Sequence, residues 1–293
     1  MSDKIRYVRQ LSSESAGEAP GRGRLQGRKI LVVGGGQRTF DAATDPVGNG
    51  RAMSLLFARE GAHVAVADLN RASADDTVQR ITAEGGRAFS IEANIAREED
   101  VIRMIDEAME GLGGIDGMVL NVGIGVGALG LDGVDLKAWN ETFAVNLTGP
   151  MLCCRKALKH IADGSSIVFI SSIAALRSGS QLIAYDASKA ALGGLMRNIA
   201  KEGARRGIRA NIIYPGLVDT PLGRHTSAGR PSRSAAGVPF GRMATGWEIA
   251  YAALFFISDE SVYAGASGRQ RNHGVIGPNP ERKSHSRTAR SGQ

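Results

Sequence analysis

Residues 29–50 read KILVVGGGQRTFDAATDPVGNG, and this stretch decides the fold. Lys29–Val33 is a short apolar run that stops at Gly34-Gly35-Gly36, as a buried strand does. After Gln37 comes the ten-residue segment Arg38–Val47, and then Gly48-Asn49-Gly50 opens a second pattern. From Gly50 to Glu60 that pattern is helical, with Met53, Leu56 and Phe57 on one face. A glycine-rich turn between a strand and a helix lets backbone N–H groups and the helix N-terminus meet a pyrophosphate.

Outward from there the same alternation repeats. Strand-like runs at 63–67, 88–93, 115–120, 166–170 and 209–213 are separated by helical patterns at 72–84, 97–109, 136–161 and 184–205, with a last one at 247–256. Strands that alternate with helices pair in parallel, because each return needs a crossover. The expectation is a single doubly wound, Rossmann-type α/β domain spanning residues 28–265. It has a parallel sheet of six or seven strands, helices on both faces, and ligands at the carboxyl ends of the strands.

The chain has 293 residues, 43% hydrophobic and 22% charged, enough to bury a large core without staples. No apolar run reaches the ~18 residues a membrane helix needs, and the first twenty residues hold no apolar leader. The two cysteines, Cys153 and Cys154, are adjacent, which argues against a disulfide framework and for a reducing compartment, read as the cytoplasm. No CxxC or HExxH spacing occurs, so no metal site is expected. The net charge of +7 invites a nucleic-acid reading, but residues 1–28 hold +3 and residues 266–293 hold +5, leaving the body near neutral. Both Ser/Gly/Arg-rich ends, 1–27 and 266–293, are expected to be disordered, and no specific nucleic-acid or membrane partner is expected.

Chemistry concentrates in a few positions. Asp68 ends the second strand, where a carboxylate accepts the 2′- and 3′-hydroxyls of a ribose and repels a 2′-phosphate. NAD(H) is therefore favoured, while Arg38 and Arg71 keep NADP(H) open. Tyr185-Asp186-Ala187-Ser188-Lys189 puts a phenol and an ammonium one helical turn apart. A free phenol titrates near ~10, and a neighbouring cation lowers that, as a general acid/base for a carbonyl/alcohol pair requires. Ser172 lies just past the fifth strand, with a hydroxyl for the substrate oxygen. Asn146, within the long helical stretch, is a candidate to hold a proton-relaying water near Lys189.

In this order the motifs resemble those of the short-chain dehydrogenase/reductase family over roughly residues 28–265. The resemblance rests on Gly34…Gly48-Asn49-Gly50, Asn121-Val122-Gly123, Asn146, Ser172, Tyr185-x-x-x-Lys189 and Pro215-Gly216…Thr220-Pro221. It implies a catalytic set of Asn146, Ser172, Tyr185 and Lys189, with Tyr185 exchanging the proton and Lys189 also on the nicotinamide ribose. It implies cofactor contacts at Gly34, Gly48, Asn49, Gly50, Asp68, Asn94, Ile95, Asn121, Gly123, Pro215, Val218 and Thr220. It also implies a small alcohol or ketone substrate and a homodimer or homotetramer built on the helices 136–161 and 184–205.

Several features depart from the family, among them Val33 where Thr is usual and Asn49 where a small apolar residue is usual. Arg38–Val47 is inserted in the glycine turn and is expected to form a flap over the adenosine half of the cofactor, its Asp41 and Asp45 pointing outward. Asn94 stands where the family usually has Asp. After Val262-Tyr263-Ala264-Gly265, where the family has an apolar last strand, the sequence shows no period-2 alternation and reads as a divergent or frameshifted end. The segment 221–243 is expected to be the substrate loop. The leading expectation is an NAD(H)-dependent oxidoreductase of a secondary alcohol and its ketone. The alternatives are an NADPH-dependent 3-oxoacyl-thioester reductase and an inactive nucleotide-binding regulator.

Overall fold

The computed structural model describes residues 11–127, 129–177, 180–227 and 240–264, with only the backbone at 226 and 227. Six strands form one sheet: β1 (Lys29–Val33), β2 (His63–Asp68), β3 (Arg87–Glu92), β4 (Gly117–Leu120), β5 (Ser166–Ile170) and β6 (Arg209–Ile213). Their order is β3-β2-β1-β4-β5-β6, and every pair is parallel. The order reverses between β1 and β4, and that switch opens a crevice at the carboxyl edge.

Alternate residues of each strand feed two helix layers. Leu31 and Val33 of β1 pack in one core with α4 (Glu98–Leu112), α6 (Gly149–Ala157) and α7 (Ile183–Gly203). Ile30 and Val32 pack in the other with α2 (Asn49–Arg59), α3 (Arg71–Ala83) and α9 (Gly246–Ile257). Central strands buried on both faces read as continuous apolar runs, which is why KILVV and SIVFI mark strands so clearly. Cys153 and Cys154 lie inside the first core, fully buried.

Two expectations need correcting. The N-terminal extension is not disordered over its described part, residues 11–27. It forms the one-turn helix α1 (Ser13–Ala16), capped by the Ser12 side chain, and then runs along α9 and α2. Leu25 is fully buried. The buried Glu60 carboxylate accepts from Arg24 Nη2 at 2.6 Å and from the Arg22 and Arg24 N–H groups at 3.0 and 2.9 Å. Arg24 thus pairs with a buried acid and Arg22 also pairs with Glu14, contacts that composition alone did not disclose. Residues 266–293 and the rest of the extension lie outside the described residues.

The helical stretch expected over 136–161 runs without a gap to 157 but is not α-helical throughout. It consists of α5 (Leu136–Phe143), one π-helical turn (Ala144–Thr148) and α6. The wider turn carries Asn146, which is fully buried. Past β6, the two-residue strand β7 (Val218–Asp219) leads to the short helix α8 (Pro221–Ser227). β7 pairs with β8 (Ala244–Thr245), just before α9. Among the described residues, no helix is long and apolar enough to cross a membrane.

Candidate active site

The glycine turn is built by close approach. Gly34 has φ +80, and a Cβ there would meet the Val122 side chain at 2.9 Å. The N–H groups of Gly34 and Gly35 both donate to the Ala67 carbonyl, at 2.8 and 3.0 Å. A Cβ on Gly50 would overlap the Gly34 carbonyl oxygen, so the start of α2 lies directly on the turn. Asn121 Nδ2 donates to that same oxygen at 2.8 Å. The Gly48 cap residue offers no side chain to the first turn of α2. The helix-start N–H groups beside Asn49 and Gly50 thus form a backbone cradle suited to phosphate oxygens. Asn49 adds a buried amide oxygen with no hydrogen-bond partner.

Asp68 faces this turn. Its Oδ2 accepts the Gly36 N–H at 3.0 Å and its Oδ1 the Asn70 N–H at 3.1 Å. Each carboxylate oxygen keeps a further lone pair for a hydroxyl. Arg71 is paired with Asp75 at 3.0 Å, and Arg38 lies over the Phe40 ring. Neither of the two cations that left NADP(H) open is paired with Asp68. Asn94 lines an open polar hollow of about 430 Å³ beside Leu69 and Arg71. Its Oδ1 accepts the Ala96 N–H at 3.0 Å. The side chain of Ile95 is buried and presses on Gly149.

On the other side of the switch, Lys189 is 3% exposed. Its ammonium donates to the carbonyls of Val122 and Ile170, at 3.1 and 3.0 Å, just beyond β4 and at the end of β5. Burial pulls its proton affinity down from the usual lysine range to about 8. Three donors and two carbonyls leave one N–H for a further acceptor. The ammonium sits 5.9 Å from the centre of the Tyr185 ring, one turn back on α7. Gly123 must lack a side chain, because a Cβ would come within 2.7 Å of the Lys189 nitrogen. Gly125 likewise borders the Tyr185 ring, at 3.5 Å for a hypothetical Cβ.

Asn146 is engaged differently from expectation. Its amide exchanges two hydrogen bonds with the backbone of Ile124, both 2.8 Å, and donates to Ser188 Oγ at 3.0 Å. It fastens the Asn121–Gly125 backbone to α7, so Gly123 lies against Lys189. Ser172 follows β5 and accepts the Ala174 N–H at 3.2 Å. Its neighbour Ser171 donates to the Lys189 carbonyl at 2.8 Å, tying this strand end to α7. Pro215 accepts the Ile173 N–H at 2.9 Å, and Thr220 Oγ1 caps α8 through the Gly223 N–H at 3.0 Å. Val218 pairs with Ala244 across the small sheet. Arg224 is held by both Asp219 carboxylate oxygens, at 2.6 and 2.7 Å.

The sixteen candidate positions lie at or beyond the carboxyl ends of the strands or on α2, the π-helical turn and α7 beside them, in two groups flanking the switch. Sequence reasoning missed Ser171 and Ser188 as site-builders, because a small hydroxyl carries no pattern of its own.

Comparison with known proteins points the same way. A family model described as enoyl-(acyl carrier protein) reductase matches residues 43–270. The chain is 34% identical over 218 residues to the cis-4-hydroxycyclohexanecarboxylate dehydrogenase of Sinomonas cyclohexanicum, covering 74% of this chain and 87% of that protein. It is 33% identical over 246 residues to 3beta-hydroxysteroid dehydrogenase 1 of Eggerthella lenta, covering 82% and 90%. Among solved structures, a short-chain dehydrogenase from Burkholderia cenocepacia in complex with NADP superposes with a TM-score of 0.73. It shares 31% identity and covers 83% of this chain and 95% of that one.

Proposed function

The chain belongs to the short-chain dehydrogenase/reductase family and is an oxidoreductase acting on CH–OH groups, and from that premise we propose an NAD(H)-dependent enzyme interconverting a secondary alcohol and its ketone. The observation that carries the proposal is Lys189: a buried ammonium, pinned by two backbone carbonyls, one helical turn from Tyr185 and beside the glycine-lined crevice.

In this reading the cradle at Gly34 and Gly48–Gly50 holds the pyrophosphate, and Asp68 accepts the adenosine ribose hydroxyls. Asn94, Ile95, Asn121 and Gly123 border the adenosine and ribose path, and Pro215, Val218 and Thr220 border the nicotinamide end. The dinucleotide, when bound, supplies the hydride acceptor or donor. The remaining N–H of Lys189 binds the nicotinamide ribose. Its charge lowers the proton affinity of the Tyr185 hydroxyl, which takes the alcohol proton during oxidation and returns it during reduction. Ser172 holds the substrate oxygen for that exchange. Asn146 keeps the Asn121–Gly125 wall against Lys189, so the ammonium cannot swing away.

Asp68 favours NAD(H), whereas the NADP found in the Burkholderia relative favours the phosphorylated cofactor as a second reading. A dimer or tetramer through α5, α6 and α7 belongs to the same proposal, and light scattering that returned a monomer would remove that part. The central test is Tyr185→Phe on a panel of secondary alcohols with NAD+. Turnover is expected to fall by three orders of magnitude or more, while NADH still binds by fluorescence. Near-normal turnover would eliminate the assignment.

A further inference from the structure

The insert Arg38–Val47 has an architecture of its own. Gln37 closes its neck: Gln37 Oε1 accepts the Gly48 N–H at 2.7 Å, and the Gln37 backbone is fixed through Ser73. The chain thus leaves and re-enters the glycine turn at nearly one point, and the cradle is not stretched. Inside the loop, Asp45 Oδ2 accepts the N–H groups of Phe40 and Asp41, at 2.7 and 2.9 Å. Asp41 accepts the Ala43 N–H at 2.9 Å and the Thr44 hydroxyl at 2.7 Å. Both carboxylates accept from the loop's own donors, which gives it a fixed shape.

What the loop offers its surroundings is the Phe40 ring and the Thr44 carbonyl. Both meet α8, rather than the adenosine side that the flap expectation named. Phe40 stacks on His225, with ring centroids 4.1 Å apart and planes within 7°. The Thr44 carbonyl accepts Arg224 Nη1 at 2.8 Å, and Arg224 is steered there by its fork to Asp219. Arg38 lies over the Phe40 ring at 5.6 Å. At the loop's trailing end, a Cβ on Gly246 would overlap the Val47 carbonyl oxygen, so the loop also touches the start of α9. The insert therefore contacts the chain on both sides of 228–239.

α8 has seven residues, too few to be stable by its own hydrogen bonds. Outside contacts must hold it, and the insert supplies an aromatic stack and a charged hydrogen bond. We propose that Phe40 and His225 are positioning residues of the dinucleotide site: their stack clasps the pyrophosphate-binding turn to the helix after Thr220, and it must open for the dinucleotide to leave. This rests on the nicotinamide dinucleotide reading of the crevice.

The test is stopped-flow release of NADH from the full chain, chased with excess NAD+. Phe40→Ala and His225→Ala are each expected to release NADH about three- to tenfold faster, the range a lost aromatic stack gives. The double variant is expected to be no faster than either single one, and Phe40→Tyr, which keeps the stack, to release at the wild-type rate. A general loosening of the fold would instead make the effects of the two single variants add. NADH bound by every protein but released at equal rates, or additive effects in the double variant, would overturn the clasp and leave the cofactor reading standing. Failure of the wild type to bind NADH would overturn the cofactor reading, and the clasp with it.

Discussion

Replacing Lys189 by Met should separate catalysis from stability, and the size of the effect follows from the geometry. An ordinary lysine keeps its proton up to 10.5, whereas burial brings Lys189 down to about 8. At ~1.36 kcal/mol per pH unit, holding the charge in place at pH 7 disfavours the folded state by about 3 kcal/mol. Methionine fills similar volume without charge and removes that penalty. It also strips the donors from the Val122 and Ile170 carbonyls, costing ~1–3 kcal/mol for each acceptor left bare. The two effects oppose each other, so at pH 7 the variant should unfold within about 3 kcal/mol of wild type while its turnover is lost. The pH dependence is the sharper readout. Between about 8 and 10.5 the unfolded chain retains the proton that the folded chain has released, so raising the pH favours the folded wild type. The methionine variant has no such proton. Urea unfolding at pH 7 and pH 10 should show the stability difference moving by roughly 2–3 kcal/mol in favour of wild type. A difference that stays constant across that range would refute the account of Lys189 as a charge held against its solvation.

Glu248, drawn down to about 2 mainly by the Arg242 guanidinium, should make Glu248→Gln less stable than wild type by ~1–2 kcal/mol at neutral pH. Because the folded protein holds this carboxyl ionised, the wild-type advantage is complete above about 4.5 and fades as pH falls toward 2, which thermal melts at stepped pH would follow. Asp68→Ala should raise kcat/KM for NADPH relative to NADH by tenfold or more, since removing the carboxylate removes its repulsion of a 2′-phosphate; an unchanged ratio in paired kinetics would place cofactor choice elsewhere.

Elements set by local pattern were legible in the sequence. β1 and β5 begin and end where apolar runs meet glycine or polar residues, and those bounds match, as do the bounds of β6. Tyr185 and Lys189 share α7 because four-residue spacing is a property of any helix. The features that stayed hidden depend on partners far apart in the chain. The π turn answers to an amide at Asn146 meeting Ile124. The extension is ordered because Arg24 meets a carboxylate at Glu60. Phe40 finds its role only beside His225. In each case the residue type allowed several environments, and only the folded topology selected one.

The first turn of α9 ties the opening segment of the chain to the stretch just before the helix. Glu248 takes a hydrogen bond from Ser15 at 2.9 Å and a two-pronged one from Arg242, while Thr245 donates to the Ser15 carbonyl at 2.7 Å. Ser15 belongs to the opening segment, and Arg242 lies where the chain comes back from beyond α8. A biochemist who trimmed the first twenty-seven residues as dispensable would thereby loosen a footing of the wall next to Thr220. Shortened at its start, this protein would report part of the damage at the far end of its chain, as altered tolerance for substrates alongside the loss of stability that an unpaired Glu60 brings.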